Sequence, residues 1–403
     1  MNTLGLYIHI PFCKRKCAYC DFYSLPDSEE KMDAYVDSLR RHFRETAPQM
    51  KRQTVDTVYF GGGTPSYLGE KRLSRLLKEI KKNYHVAPDA EITLEANPDS
   101  AGEVKMLKRL VRAGFNRISL GVQSTDDAML KRIGRVHDYA QVRAAVEAAR
   151  KAKIQNLSID LIYGLPEQDL SLWQETLKTA VELKPQHISC YALKVEEGTP
   201  LWKQKDTLVV ADDDQQAEMY LWAAAFLREQ GYEQYEISNF ALPGFESRHN
   251  LKYWRMEPYA GFGPGAHSDF GDVRYAYERD LAAYLAGELR LSEREEIPPR
   301  ERCMEYIMLS LRTAQGMERR RFENDYRLPF APLEEKFVQY ETHGLARRTD
   351  GGWRLTPEGF LVSNSIIVEL QETVMRLREQ RKRDIAQGVF RVEKGIGSKD
   401  AAL

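Results

Sequence analysis

Three of the chain's five cysteines, Cys13, Cys17 and Cys20, fall in one short stretch near the start, HIPFCKRKCAYCDFYS. A CxxxCxxC loop can turn three thiolates toward one inorganic centre, whereas a tetrahedral zinc site or an ordinary iron–sulfur cubane takes four protein ligands. With three, a four-iron cluster keeps one iron open to an exogenous molecule. Two plainer readings compete: a zinc knuckle completed by His9, and three unconnected cysteines. Cys190 and Cys303 read as buried, inert thiols, one in a strand and one in a helix.

The other residues with chemical potential recur in one context. FGGGTP, EANPDS, GVQS and DLIYGLP each follow a strand-like run, so Gly62, Glu95, Gln123 and Asp160 sit at or just beyond predicted strand ends. Glycines permit close backbone approach, and a loop with exposed N–H and C=O groups can bind a zwitterion. Carboxylates suit ribose hydroxyls or an ammonium, and an arginine such as Arg135 suits a carboxylate. Taken singly each has a plain explanation as a loop cap or solvated side chain.

The elements that must position these residues alternate. Runs rich in β-branched and aromatic residues (GLYIHI, VDTVYF, EITLEA, RISLGV, NLSIDLI, HISCYAL) are separated by stretches of helical periodicity, such as 31–44 with Met32, Tyr35, Val36, Leu39 and Phe43 on one face. Strands apolar on both faces and right-handed crossovers predict a parallel α/β sheet, and six units predict a partial (βα)6 TIM-like barrel. Ligands bind at the carboxyl edge of such sheets, where these polar and glycine features converge.

Beyond Glu196 the pattern predicts a helix over 212–230, then a barrel-closing region over 236–297 that carries SRHNLKYW and GFGPGAHS in loops. GFGPGAHS reads equally as a backbone wrap for an adenine and as a tight irregular loop. From 298 to 377, helices followed by a hairpin turning at Asp350-Gly351 predict a small winged-helix-like α+β domain, and the charged residues 378–403 read as a mobile tail.

Lys and Arg total 59 against 60 Asp and Glu, so no global field favours nucleic acid or an anionic membrane. No apolar run is long enough to cross a bilayer, and the N-terminus lacks the order of a signal peptide, which predicts a cytoplasmic protein with reduced thiols. Membrane association through a partner stays open.

The cysteine loop together with GGGTP resembles the radical SAM superfamily, which the resemblance implies would bind S-adenosylmethionine (SAM) at the open iron of a [4Fe-4S] cluster and cleave it reductively. More narrowly the chain resembles the oxygen-independent coproporphyrinogen III oxidase-like (HemN-type) family up to about residue 377. That resemblance implies SAM contacts from Tyr7, six residues before the first cysteine, and from Gly62, Gly63, Thr64, Glu95, Gln123, Arg135 and Asp160. The oxidases resemble one another in a fourth cysteine, at the position where this chain has Phe22, and in an N-terminal extension not seen before Cys13 here. Oxidase activity is therefore not expected.

HNLKYW, from His249 to Trp254, is similar instead to the HNxxYW element of the family's heme-chaperone (HemW) branch. The resemblance implies that heme is bound and passed to respiratory hemoproteins, with a heme donor protein and a homodimer as open partner readings. Imidazole is a common haem ligand and indole offers a flat apolar face, so His249 is expected as iron ligand, with Asn250, Tyr253 and Trp254 around it. The alternatives are a radical SAM enzyme, either a decarboxylating oxidase or a methyltransferase, and a zinc-stabilised binding protein.

Overall fold

The computed structural model describes residues 3–26 and 28–387. Six strands, β1 (Thr3–Ile10), β2 (Thr54–Gly62), β3 (His85–Ala96), β4 (Arg117–Gln123), β5 (Asn156–Tyr163) and β6 (His187–Ala192), lie side by side in sequence order and pair in parallel. The crossovers are α1 (Met32–Thr46), α2 (Glu70–Asn83), α3 (Val104–Ala113), α4 (Tyr139–Lys151) and α5 (Leu170–Glu182). Leu4, Leu6, Ile8 and Ile10 of β1, with Val58 and Phe60 of β2, are sealed from solvent, each buried side chain contributing about 1.5–3 kcal/mol. The helices start where the sequence supplies a cap. Asp138 and Gln141 form a reciprocal capping box on α4, and Asp212 and Gln215 do the same on α6 (Asp213–Glu229).

The sheet is larger than six strands. It continues past β6 through β7 (Glu233–Glu236) and β8 (Asn239–Ala241), the latter antiparallel to β6. After α7 (Arg248–Arg255), β9 (Tyr259–Phe262) adds parallel to the free side of β1, followed by the antiparallel β10 (His267–Phe270), β11 (Val273–Tyr277) and β12 (Leu291–Glu296). The order β12-β11-β10-β9-β1-β2-β3-β4-β5-β6-β8-β7 leaves its two ends unpaired with each other, an open barrel.

The chain divides into two compact units. The first takes residues up to Gln234, then Ser238–Tyr253 and Glu257–Glu296. Most of 236–297, expected as a separate barrel-closing region, therefore belongs to the unit that holds the barrel. The second contains Tyr235–Ile237, Trp254–Met256 and the chain from Ile297. Within it, α8 (Pro299–Ser310), α9 (Arg319–Tyr326) and α10 (Ala331–Thr342) precede the antiparallel hairpin β13 (Ala346–Arg348) and β14 (Gly352–Leu355). Phe337 stacks on Trp353 of the hairpin at 5.5 Å. The final helix α11 (Ser363–Ala386) carries the chain well past 377, so 378–386 is helical where a mobile tail was expected. Ile366, Ile367, Leu370 and Val374 bury one face of α11 and propagate it into the charged stretch. Residues 388–403 of that expected tail lie outside the described residues.

Candidate functional site

The cysteine loop leaves β1 at Ile10 and is fastened to the end of β2 by backbone bonds. The Gly63 N–H donates to the Ile10 carbonyl and the Thr64 N–H to that of Phe12, both at 2.8 Å. This approach requires glycine: a Cβ on Gly63 would lie 2.8 Å from the Phe12 carbonyl, 2.9 Å from that of Ile10 and 3.0 Å from Cys13 Sγ. The Gly62 N–H is taken by Glu95 Oε2 at 3.0 Å. All three N–H groups of this segment are thus engaged within the protein, so recognition of a carboxylate must come from elsewhere.

Cys13, Cys17 and Cys20 line one solvent-open cavity of about 370 Å³. Thr64 Oγ1 donates to Cys13 Sγ and Arg135 Nη1 to Cys17 Sγ, each at 3.4 Å, contacts that favour the anionic form of a sulfur ligand. Burial raises the Cys13 thiol and pushes Cys20 up to about 11, so ligation would be accompanied by proton release. Among the described residues no three His, Cys, Asp or Glu side chains meet at a single-ion centre. A four-iron cube instead offers each thiolate its own iron corner, so three sulfurs around one cavity suit it better than a zinc ion. His9 does not complete a zinc knuckle: its Nδ1 bonds to Tyr7 Oη at 3.1 Å and its Nε2 to the Tyr23 carbonyl at 2.9 Å.

The same cavity is lined by Gly62, Gly63, Thr64, Glu95, Gln123, Arg135 and Asp160, seven of the eight residues expected to contact SAM. Tyr7 sits one layer behind, stacked at 6.2 Å on Tyr59, which does reach the wall. Glu95 accepts from Tyr59 Oη at 2.7 Å, and burial pushes its carboxyl up to about 7. Asp160, also raised by burial, accepts from Ser189 Oγ at 2.7 Å and from Ser119 and Ser158. Arg135 Nη2 bridges Asn97 Oδ1 at 2.7 Å and the Gly121 carbonyl at 2.5 Å. Gln123 ends β4 at φ +70°, a left-handed backbone uncommon for a residue with a side chain and often kept at ligand sites. GFGPGAHS does not reach this wall; its Gly263 packs against Tyr35 and His9, and Ala260 to Phe262 just before it pair with β1.

HNLKYW was expected in a loop and is instead the body of the helix α7. Glu91 of β3 sets its start, accepting from the N–H of Arg248 and of His249 at 3.1 Å each, as an acidic group at a helix N-terminus does. His249 is 1% exposed. Its Nδ1 bonds to Thr57 Oγ1 and its Nε2 to Tyr253 Oη, both at 2.8 Å, and its ring stacks on Tyr59 at 5.1 Å. Gly5 leaves the room for this, since a Cβ there would fall 3.2 Å from His249 Cε1 and 2.8 Å from Lys252 Cδ. Lys252 Nζ pairs with Asp56 at 2.9 Å and Glu257 at 3.1 Å. The helix therefore closes the amino-terminal end of the barrel beneath the cavity, and Asn250 lines the cavity wall. The geometry does not offer His249 to an iron: both ring nitrogens are engaged in a buried network. Trp254 is half-buried and falls in the second unit.

Residues 7–180 match the radical SAM superfamily and residues 297–362 the HemN C-terminal domain. The chain is 36% identical over 366 residues to the heme chaperone HemW of Lactococcus lactis, covering 89% of this chain and 95% of that protein. It is 36% identical to HemW of Bacillus subtilis (89% and 97% covered) and 34% identical to that of Escherichia coli (91% and 98%). This chain belongs to the HemW family. The structure of coproporphyrinogen III oxidase (HemN) from Escherichia coli, a radical SAM enzyme, superimposes with a TM-score of 0.78 at 26% identity over 91% of this chain and 89% of that one.

For this HemW family member, sequence reasoning found the residues at the strand ends and missed those along the strands' inner face. Tyr59, Arg117, Ser119, His187 and Ser189 all line the cavity, yet the strands carrying them read as apolar throughout. The signal was present as alternation: Arg117-Ser119-Gly121-Gln123, Ser158-Asp160 and His187-Ser189-Tyr191 place a polar residue or a glycine at every second position, the period of one strand face. Asn97, inside EANPDS, was passed over as part of a turn although it orients both Arg135 and Thr64.

Proposed function

We propose that this chain binds heme and delivers it to acceptor hemoproteins of respiration, and that it holds a [4Fe-4S] cluster on Cys13, Cys17 and Cys20 with SAM beside it. The cofactor part is supported above all by the convergence of three cysteines and seven expected SAM residues on one cavity wall. The heme part is supported by membership of the HemW family along nine tenths of the chain.

When bound, cluster and SAM together supply one-electron chemistry at the open iron. The chain's own residues bind and orient. Glu95, raised to about 7 by burial, is poised to ionise beside a cationic ligand group. Asp160, held by three serine hydroxyls, presents a fixed carboxylate for hydroxyl donors. Arg135 ties the cysteine loop to β4 and to Asn97, so occupancy of the SAM site and geometry of the cysteine loop are coupled through one guanidinium. Among the described residues no helix is long and apolar enough to cross a membrane. The α7 motif is assigned to building the cavity floor.

Anaerobic incubation with coproporphyrinogen III separates a chaperone from an oxidase. No decarboxylated product is expected, from the natural chain or from Phe22→Cys. Heme titrated into the same preparation is expected to bind and to move to an apo-hemoprotein. Product formation by the natural chain would overturn the proposal.

A further inference from the structure

Phe22 stands out as an aromatic ring left in water: it is 59% exposed, two residues beyond the last cysteine. Exposure of a whole phenylalanine ring forgoes about 1.5–3 kcal/mol of burial, and a single such residue on a surface would need no explanation. It is not single. Among the described residues, the aromatics that stand among the exposed large hydrophobic side chains are Phe22 and Tyr191, the latter 40% exposed at the end of β6. Both line the cavity that holds the cysteines. Each is exposed to solvent as well as to the cavity, so the two rings belong to its mouth, above the buried carboxylates of Glu95 and Asp160.

The same mouth carries Arg15, Lys16 and Lys194. Lys16 Nζ donates to the Phe22 carbonyl at 3.2 Å, tying a cation to the segment that presents the ring. Asp21 and Glu196 are also there, so three cations face two carboxylates and the rim is left net positive. Flat apolar faces with cations beside them suit a planar aromatic ligand that bears carboxylates at its edge, as a heme does. The cavity itself, about 370 Å³, is of the size of one ordinary ligand site of roughly 300–1000 Å³, so a macrocycle would lie across its solvent-open mouth and not inside it.

We infer that Phe22 and Tyr191 form the docking platform for heme at the mouth of the cluster cavity, with Arg15, Lys16 and Lys194 receiving its propionates. The inference rests on the heme-chaperone reading and adds the place. A platform of rings and rim cations holds the macrocycle by its face and edge and asks no protein ligand of the iron, which leaves the metal for the acceptor's own ligand. The position that would carry a fourth cysteine in the oxidases resembled here thereby acquires a role as a ring.

The test is heme titration of the full chain, followed by absorbance and by quenching of tryptophan fluorescence, on the natural protein, Phe22→Ala, Tyr191→Ala, the double variant, and a variant with Lys16 and Lys194 changed to Gln. Each single aromatic change is expected to weaken binding about tenfold and the double change more than thirtyfold. The Lys variant is expected to lose most of the salt dependence of the affinity. Because these side chains are exposed, the unfolding midpoint is expected to stay within a degree or two of the natural value, about the effect of an ordinary surface change. Heme binding by the double variant equal to that of the natural chain would overturn the platform and leave the chaperone reading intact. Failure of the natural chain to bind heme would overturn both. Unchanged affinity with lost delivery to an apo-hemoprotein would make the surface a partner contact and also overturn the platform.

Discussion

Replacing His249 by alanine distinguishes a residue that builds the barrel floor from one that ligates iron. The change removes hydrogen bonds to Thr57 Oγ1 and Tyr253 Oη, both 2.8 Å, and the stack on Tyr59 at 5.1 Å. Thr57 is sealed from solvent, and an orphaned buried hydroxyl costs about 1–3 kcal/mol. The half-buried Tyr253 loses about 1 kcal/mol more, and an aromatic stack contributes about 0.5–1.5 kcal/mol. The sum is about 3–5 kcal/mol. Urea unfolding of the metal-free protein, followed by near-ultraviolet circular dichroism of the tyrosines, is the assay. His249→Ala is expected to be several kcal/mol less stable, while heme titration of the folded fraction is expected to give the natural affinity. The pH dependence adds a check. Burial lowers the His249 imidazole to about 3, so its contribution is complete above the ordinary 6.5 and is lost as pH falls toward 3. The stability gap between the two proteins should narrow over that window. A variant of natural stability that has lost heme would refute the reasoning and restore His249 as an iron ligand.

Alanine at Cys13, Cys17 or Cys20 should each abolish the iron–sulfur chromophore after anaerobic reconstitution, whereas Cys190→Ala and Cys303→Ala, at buried positions away from the cavity, should retain it; iron and sulfide analysis decides. Gly63→Ala places a methyl 2.8 Å from a carbonyl oxygen and 3.0 Å from Cys13 Sγ, and should lower cluster yield severalfold in the same analysis. Glu95, raised from 4.5 to about 7, makes the ligand-free fold less stable as pH rises through that interval, by about 3 kcal/mol in all; Glu95→Gln should flatten that slope in denaturation curves taken from pH 4 to 8.

The parallel strands and their order were legible because they leave short runs rich in β-branched and aromatic residues, such as GLYIHI and VDTVYF, and the helices between them carry clear apolar faces. The carboxyl-edge residues followed from that topology. The parallel strand β9 was not legible: YAGF is four residues long in a glycine-rich stretch, and its partner β1 lies some 250 positions away. The helix through HNLKYW was hidden for a related reason. Its eight residues are too few for helical periodicity, and its N-terminal partner is Glu91, a carboxylate remote in sequence where a local cap would have announced it. Likewise the burial of His249 depends on Gly5 and Thr57, contacts that no spacing within the motif encodes. In α11 the charges of 378–384 read as a solvated tail, but the apolar face of Ile366, Ile367, Leu370 and Val374 sets the helix going before they begin.

Whether the chain carries heme to other proteins is decided by a transfer measurement. The full chain, reconstituted anaerobically and loaded with one equivalent of heme, is mixed with an apo-hemoprotein whose holo spectrum is distinct, with free heme removed beforehand. Stoichiometric binding is expected, followed by appearance of the acceptor's holo spectrum, faster than from heme held by an unrelated binding protein. Absence of stable heme binding, or bound heme that never reaches the acceptor, would contradict the proposed function.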